Sequence, residues 1–178
     1  FLRLFLNNSG DKNFCINSWT GPERTAQDFQ YSNWAVEIKT SQGNNHQKIH
    51  ISNERQLDDS LVEKIFLYHL SLEVRNSAGE TLNFLIDEIF DLLFDNIVAS
   101  NLFRFRLLES GYYHVHREIY QDKGYAIRQE NIYKVSGNFP RIIESQVPAG
   151  VGDVKYSIVL SDSEQWQINQ ELLFTEIR

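Results

Sequence analysis

Alternation of apolar and polar side chains is clearest in the first quarter of the chain. Over 26–32, "AQDFQYS", Phe29 and Tyr31 fall on one face and Asp28 and Gln30 on the other; over 34–40, "WAVEIKT", Trp34, Val36 and Ile38 alternate with Glu37 and Lys39. Both read as strands, close enough in sequence to pair as a hairpin. Further strands are expected at 14–19 ("FCINSW"), at 48–52 ("KIHIS") and in the apolar run "IFLYHLSLEV" at 65–74, which suits the middle of a sheet. In "TLNFLIDEIFDLLF" the residues Leu82, Leu85, Ile86, Ile89, Phe90 and Leu93 have helical spacing with acids opposite, which predicts an amphipathic helix covering a sheet face.

"FLRLFL" opens the chain as a helix, a short helix is expected over 53–60, and another over 101–109 ends before Gly111, where a C-terminal cap would stand. "YYHVHREIY", "YAIRQENIYKVSG" and "VKYSIVLSD" read as three later strands, the first two joined by a hairpin-like turn at 122–124. The polar 41–47 is a loop, and 139–152 is a connector with two prolines and two glycines. This order predicts an α/β fold, a mixed sheet with helices packed on it. The division expected is a core over 1–100 and a helix plus β-rich extension over 101–178, packed on that core.

Composition narrows the class. The 178 residues are 42% hydrophobic and 13% aromatic, enough for a buried core, and no apolar run is long enough to cross a bilayer. With Cys15 the single cysteine, no internal disulfide can form, so a cytoplasmic setting without a membrane is expected. The chain starts in mid-helix without a capping residue, as the remainder of a longer protein would. A net charge of −7 is not the signature of a nucleic-acid binder as a whole, yet Arg104, Arg106, Arg117, Lys123, Arg128, Lys134 and Arg141 concentrate in the second half. Either they form a local patch or they are solvated surface.

Asp28, Glu37 and Lys39 are the residues whose spacing suggests chemistry. If the two strands pair, all three share one sheet face. Two nearby carboxylates raise each other's pKa unless a cation lies between them, and Mg²⁺ with oxygen ligands, including the backbone carbonyl of Ile38, would serve. The bland alternative is an ion pair on a half-exposed strand. His50 shares a face with Ser52 and could reach a phosphate; Gln56 follows on the short helix. His114 and His116 share a strand face but lack a third ligand for zinc. No phosphate-cradling glycine loop and no nucleophile elbow is present.

The run "GPERTAQDFQYSNWAVEIKTS" resembles the motif region of the PD-(D/E)XK nuclease superfamily, the fold of many restriction endonucleases. More narrowly, with "ISNERQLDD", "LYHLSLEV", "LLESGYY" and "NFPRI" in order, the chain resembles a bacterial family assigned to that superfamily. The resemblance implies a restriction-endonuclease-like mixed β-sheet flanked by helices, with Asp28, Glu37 and Lys39 as catalytic residues and Asp28, Glu37 and the Ile38 carbonyl holding Mg²⁺ or Mn²⁺. His50 and Gln56 would be secondary site residues.

It further implies an endonuclease acting on DNA, with Arg104, Arg117, Arg128 and Arg141 as DNA contacts, in a bacterial restriction or phage-defence system with other subunits as partners. Oligomeric state stays open, a homodimer among the options. Gln27 stands where many members have proline, and a further glutamate of many members would fall just before Phe1. The alternative is a non-catalytic nuclease-fold subunit for interaction or DNA docking.

Overall fold

The computed structural model describes residues 1–43 and 48–178. Its main sheet contains β1 (Phe29–Tyr31), β2 (Trp34–Gln42), β4 (Lys64–Asn76), β6 (Lys123–Val135) and β5 (Glu80–Thr81) in that order, with β8 (Gln167–Ile168) also on β6. β1 and β2 form the expected hairpin, and β2 and β4 run parallel, so the sheet is mixed. β3 (Lys48–Ile51) pairs instead with β7 (Tyr156–Val159) in a separate two-stranded sheet.

The helices are α1 (Leu2–Asn8), α2 (Lys12–Asn17), α3 (Leu82–Leu92), α4 (Ile97–Glu109) and α5 (Gln170–Glu176). Each supplies residues to one core, against Phe29, Trp34, Val36, Phe66, Tyr68 and Ile132 on one sheet face. Alternation sends Ala35, Ile65, Leu67, Tyr133 and Val135 to the other face, where Ile49, Ile51 and Ile158 of the small sheet, with Leu57 and Phe139, form a second core. The central strands are therefore apolar on both sides where the two cores meet them, which explains the unbroken apolar run at 65–68.

Several expected elements differ. Residues 14–19 are not a strand: Asp11 accepts the Phe14 N–H at 3.0 Å and caps α2, which ends at Asn17. The segment 112–120 forms 3₁₀ turns over His114–Tyr120 rather than a strand, so no hairpin joins it to β6. β6 instead pairs antiparallel with β4, from Ile65↔Val135 to Asn76↔Lys123, and lies inside the main sheet. The helix expected from 101 begins at Ile97, where Asn96 accepts the Ala99 N–H, and the third late strand is confined to Tyr156–Val159. Four residues of the expected 41–47 loop lie outside the described residues.

Candidate active site

The hairpin register places the two carboxylates. Phe29 pairs with Val36, so one further step sets Asp28 opposite Glu37. An uninterrupted ladder would take the Ile38 N–H to the backbone of Gln27. Instead it donates to Asp28 Oδ2 at 2.8 Å, and the chain turns away, with the Thr20 and Gly21 N–H groups donating to the Asp28 carbonyl at 3.0 and 2.9 Å. A strand residue presents its N–H and C=O to the same edge, so the Ile38 carbonyl also faces the edge where β1 has ended. Gly21 suits this close approach: a Cβ there would lie 3.1 Å from Asp28 Oδ1, tight enough that the carboxylate would have to shift.

Glu37 is almost fully buried, at 2% exposure. The sequence reads its face as a polar back; the second core, assembled from β3, β7 and the turn after β3, covers it. Lys39 Nζ lies 2.8 Å from Glu37 Oε1 and donates to Gln56 Oε1 at 2.8 Å. Gln56 Oε1 also accepts the Ser52 N–H at 2.8 Å, which fixes the amide on the 3₁₀ turn Glu54–Leu57. Burial first, and then the neighbouring Asp28 charge, push Glu37 up to about 8, and the Lys39 ammonium only partly offsets them. Burial likewise raises Asp28, against the opposing pull of the Ile38 N–H and Lys39.

The structure thus brings together Asp28, Glu37, Lys39 and Gln56. It leaves the others elsewhere. His50 is exposed on β3 with Nδ1 2.9 Å from Ser157 Oγ. Arg141 is engaged by the Leu57 carbonyl and Asp59, each at 2.6 Å, and Arg117 pairs with Asp87 through two bonds of 2.7 and 2.6 Å. Arg104 stands over the Phe90 ring and lines, with Arg117, a cavity of about 230 Å³. That cavity shares Ile86 and Leu107 with a neighbouring one of about 300 Å³ that reaches Asp28 and Ile38. Arg128 is exposed on β6.

Two contributors escape a reading of the sequence. Gln27 is buried, and its Nε2 donates to the carbonyls of Arg55 at 2.8 Å and Gln56 at 3.4 Å, joining the segment that carries Asp28 to the turn that carries Gln56. His69 sits beside Lys39 in the parallel register, fully buried, with Nε2 2.9 Å from Ser41 Oγ. A histidine inside an otherwise apolar strand was the available signal for His69. For Gln27 it was an amide where the motif usually has proline.

Among the described residues no group of three or more His, Cys, Asp or Glu side chains gathers for a metal. A hard cation needs less protein than that: Asp28, Glu37 and the Ile38 carbonyl are all oxygen donors, and Mg²⁺ keeps several waters. Asp28 Oδ1 accepts no hydrogen bond among the described residues. All three are placed at one end of the β1–β2 hairpin, so the donor set fits a divalent ion.

A family model described as "Putative PD-(D/E)XK family member (DUF4420)" matches residues 1–161. No curated protein and no solved structure matches the chain. No described helix is long and apolar enough to cross a membrane.

Proposed function

Because the chain belongs to this PD-(D/E)XK family, with its nuclease-like fold, we propose that it is a metal-dependent endonuclease that hydrolyses DNA phosphodiester bonds. The observation that carries this reading is the Asp28–Glu37–Lys39 cluster at the end of the β1–β2 hairpin, two carboxylates and an ammonium held together by register, burial and the Gln56 amide. Asp28, Glu37 and the Ile38 carbonyl would hold Mg²⁺ or Mn²⁺. Such an ion supplies Lewis-acid stabilisation of phosphate charge and acidifies a bound water.

The chain's own groups do the rest. In hydrolysis a water oxygen bonds to phosphorus, the opposite P–O bond breaks, the water loses a proton and the leaving alkoxide gains one. Lys39 presents donors to the oxygens on which negative charge grows, and its position is preset by Glu37 on one side and Gln56 on the other. Gln27 keeps that turn against the Asp28 strand. The setting we propose for it is a restriction or phage-defence system with partner subunits.

A second reading has its own supporting observation. Asp28 Oδ2 already terminates the ladder on Ile38 N–H and Glu37 already pairs with Lys39, so the cluster can serve as a purely structural end to the hairpin in a non-catalytic DNA-docking subunit. Incubating supercoiled plasmid with the protein and Mg²⁺ or Mn²⁺ separates the two. Nicked and linear products that vanish with EDTA and with Lys39→Ala support the enzyme; intact plasmid bound by a folded protein supports the docking subunit.

A further inference from the structure

Arg106 belongs to the cationic residues that concentrate in the second half of the chain, yet it does not face solvent. It is 5% exposed on α4, which buries Phe103 and Leu107 as well. Its Nη2 donates to the Asn17 carbonyl at 3.3 Å, at the end of α2, and lies 2.6 Å from Glu23 Oε1, at the end of the 3₁₀ turn Gly21–Glu23. Its Nε and Nη1 are buried and make no hydrogen bond among the described residues. Burying a guanidinium charge is costly unless a carboxylate and hydrogen bonds offset the lost hydration. Arg106 therefore depends on Glu23: letting it go would leave a buried charge uncompensated.

What Arg106 holds is the turn that secures Asp28. Asn17 and Glu23 bracket Thr20 and Gly21, whose N–H groups donate to the Asp28 carbonyl. Hydroxyls lace the same turn to the neighbouring residue: Thr20 Oγ1 donates to the Gln27 carbonyl at 3.3 Å, and Thr25 Oγ1 donates to the Gln27 and Thr20 carbonyls at 2.7 and 3.1 Å. The chain leaves the turn through Arg24 at φ 60°, the left-handed region that residues other than glycine rarely adopt. Such a backbone persists where its surroundings fix it, and the Arg106–Glu23 pair is anchored one residue before it. With Asp28 Oδ2 on the Ile38 N–H, the place of this turn sets where the rest of the carboxylate stands.

Resting on the metal-dependent endonuclease reading above, we propose that Arg106 is a positioning residue for Asp28: through Glu23 and the turn at 20–24 it fixes the Asp28 carboxylate against the edge of β2, where the cation would be held. It acts at a distance, touching neither the cation nor the substrate. It also acts as a buried charge with part of its hydrogen-bonding capacity unused, which is a poor way to stabilise a fold. An apolar side chain of similar volume in place of a buried ion-pair partner is often neutral or stabilising. Positioning and stability therefore separate at this residue: an apolar replacement should keep the fold and loosen the ligand.

The test is Arg106→Met in the intact chain, which keeps much of the side-chain volume and removes the charge. The quantities read are the thermal midpoint, the affinity for Mn²⁺ without DNA by calorimetry, and the exchange rates of the Thr20, Gly21 and Ile38 amide protons in the metal-free protein by NMR. The expected result is a midpoint no lower than that of the wild type, Mn²⁺ binding weakened about tenfold, the scale of losing an outer-shell partner, and faster exchange at those amides. A folded variant that binds Mn²⁺ as tightly as the wild type overturns the positioning role and leaves the endonuclease reading intact. A wild-type chain that binds no Mn²⁺ overturns that reading instead, and amide exchange alone then decides whether Arg106 holds Asp28: faster exchange in the variant upholds it and unchanged exchange overturns it. Should Arg106→Met not fold, Glu23→Gln, at a half-exposed side chain, decides by the same Mn²⁺ affinity and amide exchange.

Discussion

Lys39 Nζ and Glu37 Oε1 lie 2.8 Å apart on one strand, two positions along the same face, with Glu37 buried and Gln56 closing the far side of the ammonium. The Gln56 amide pins the longer of the two side chains. The lysine is thus held in place before any substrate arrives.

Replacing it should therefore act on rate more than on folding. Lys39→Ala is expected to lower the single-turnover rate of DNA cleavage about 10²–10³-fold, the loss typical of removing one positioned transition-state donor. Duplex affinity should change little, and circular dichroism should show an intact fold. Cleavage at a comparable rate would make Lys39 a structural partner of Glu37.

Glu37 links the site to pH. Its pKa rises from an ordinary 4.5 to about 8 in the folded, metal-free chain, chiefly through burial. The folded state then keeps a proton that the unfolded chain releases, so this stabilising contribution is complete below the unfolded value and is lost as pH rises through the folded one. Urea midpoints of the metal-free protein are expected to fall between about pH 5 and about pH 9, and Glu37→Gln should flatten that decline. A wild-type midpoint independent of pH across that window contradicts this burial.

Gln27 offers a test of how the two halves of the site are held. Gln27→Ala leaves the carbonyls of Arg55 and Gln56 without their donor, which should destabilise the protein by about 1–3 kcal/mol. It should also lower the turnover rate, because Gln56 and with it Lys39 lose their registration against Asp28. Unaltered turnover in a destabilised but folded variant would confine Gln27 to the scaffold.

The arginines should divide by their partners. Arg104 forms no ion pair among the described residues, so a phosphate contact there would reduce the slope of log affinity against log salt by about 0.9 when it is changed to alanine. Arg141, engaged by Leu57 and Asp59, should instead lose thermal stability on the same change with the salt slope kept. The opposite assignment of the two effects would place the nucleic acid on the Arg141 side.

Much of this was legible because alternation from Asp28 to Lys39 signals the two strands and assigns their faces, while the register, set by the turn at Ser32 and Asn33, comes from the structure. The burial of Glu37 was not, since its cover comes from β7, over a hundred residues away, pairing with β3. Alternation also misled at 14–19 and 112–120. In the first, the Asp11 cap starts a helix whose Cys15 and Ile16 face the core; in the second, Val115 and Ile119 remain exposed and pair with no strand.

The most direct test of the Asp28–Glu37–Lys39 cluster as a phosphodiester-cleaving centre is the single-turnover rate of duplex cleavage in Mg²⁺ by the wild-type chain and by Asp28→Asn, a change that keeps an oxygen for the Ile38 N–H but removes the charge. Cleavage by the wild type and a rate lowered about 10²-fold or more in Asp28→Asn, with the fold retained, is the predicted result. Equal rates in the two proteins, or no cleavage by a well-folded wild type that binds the duplex, would contradict it.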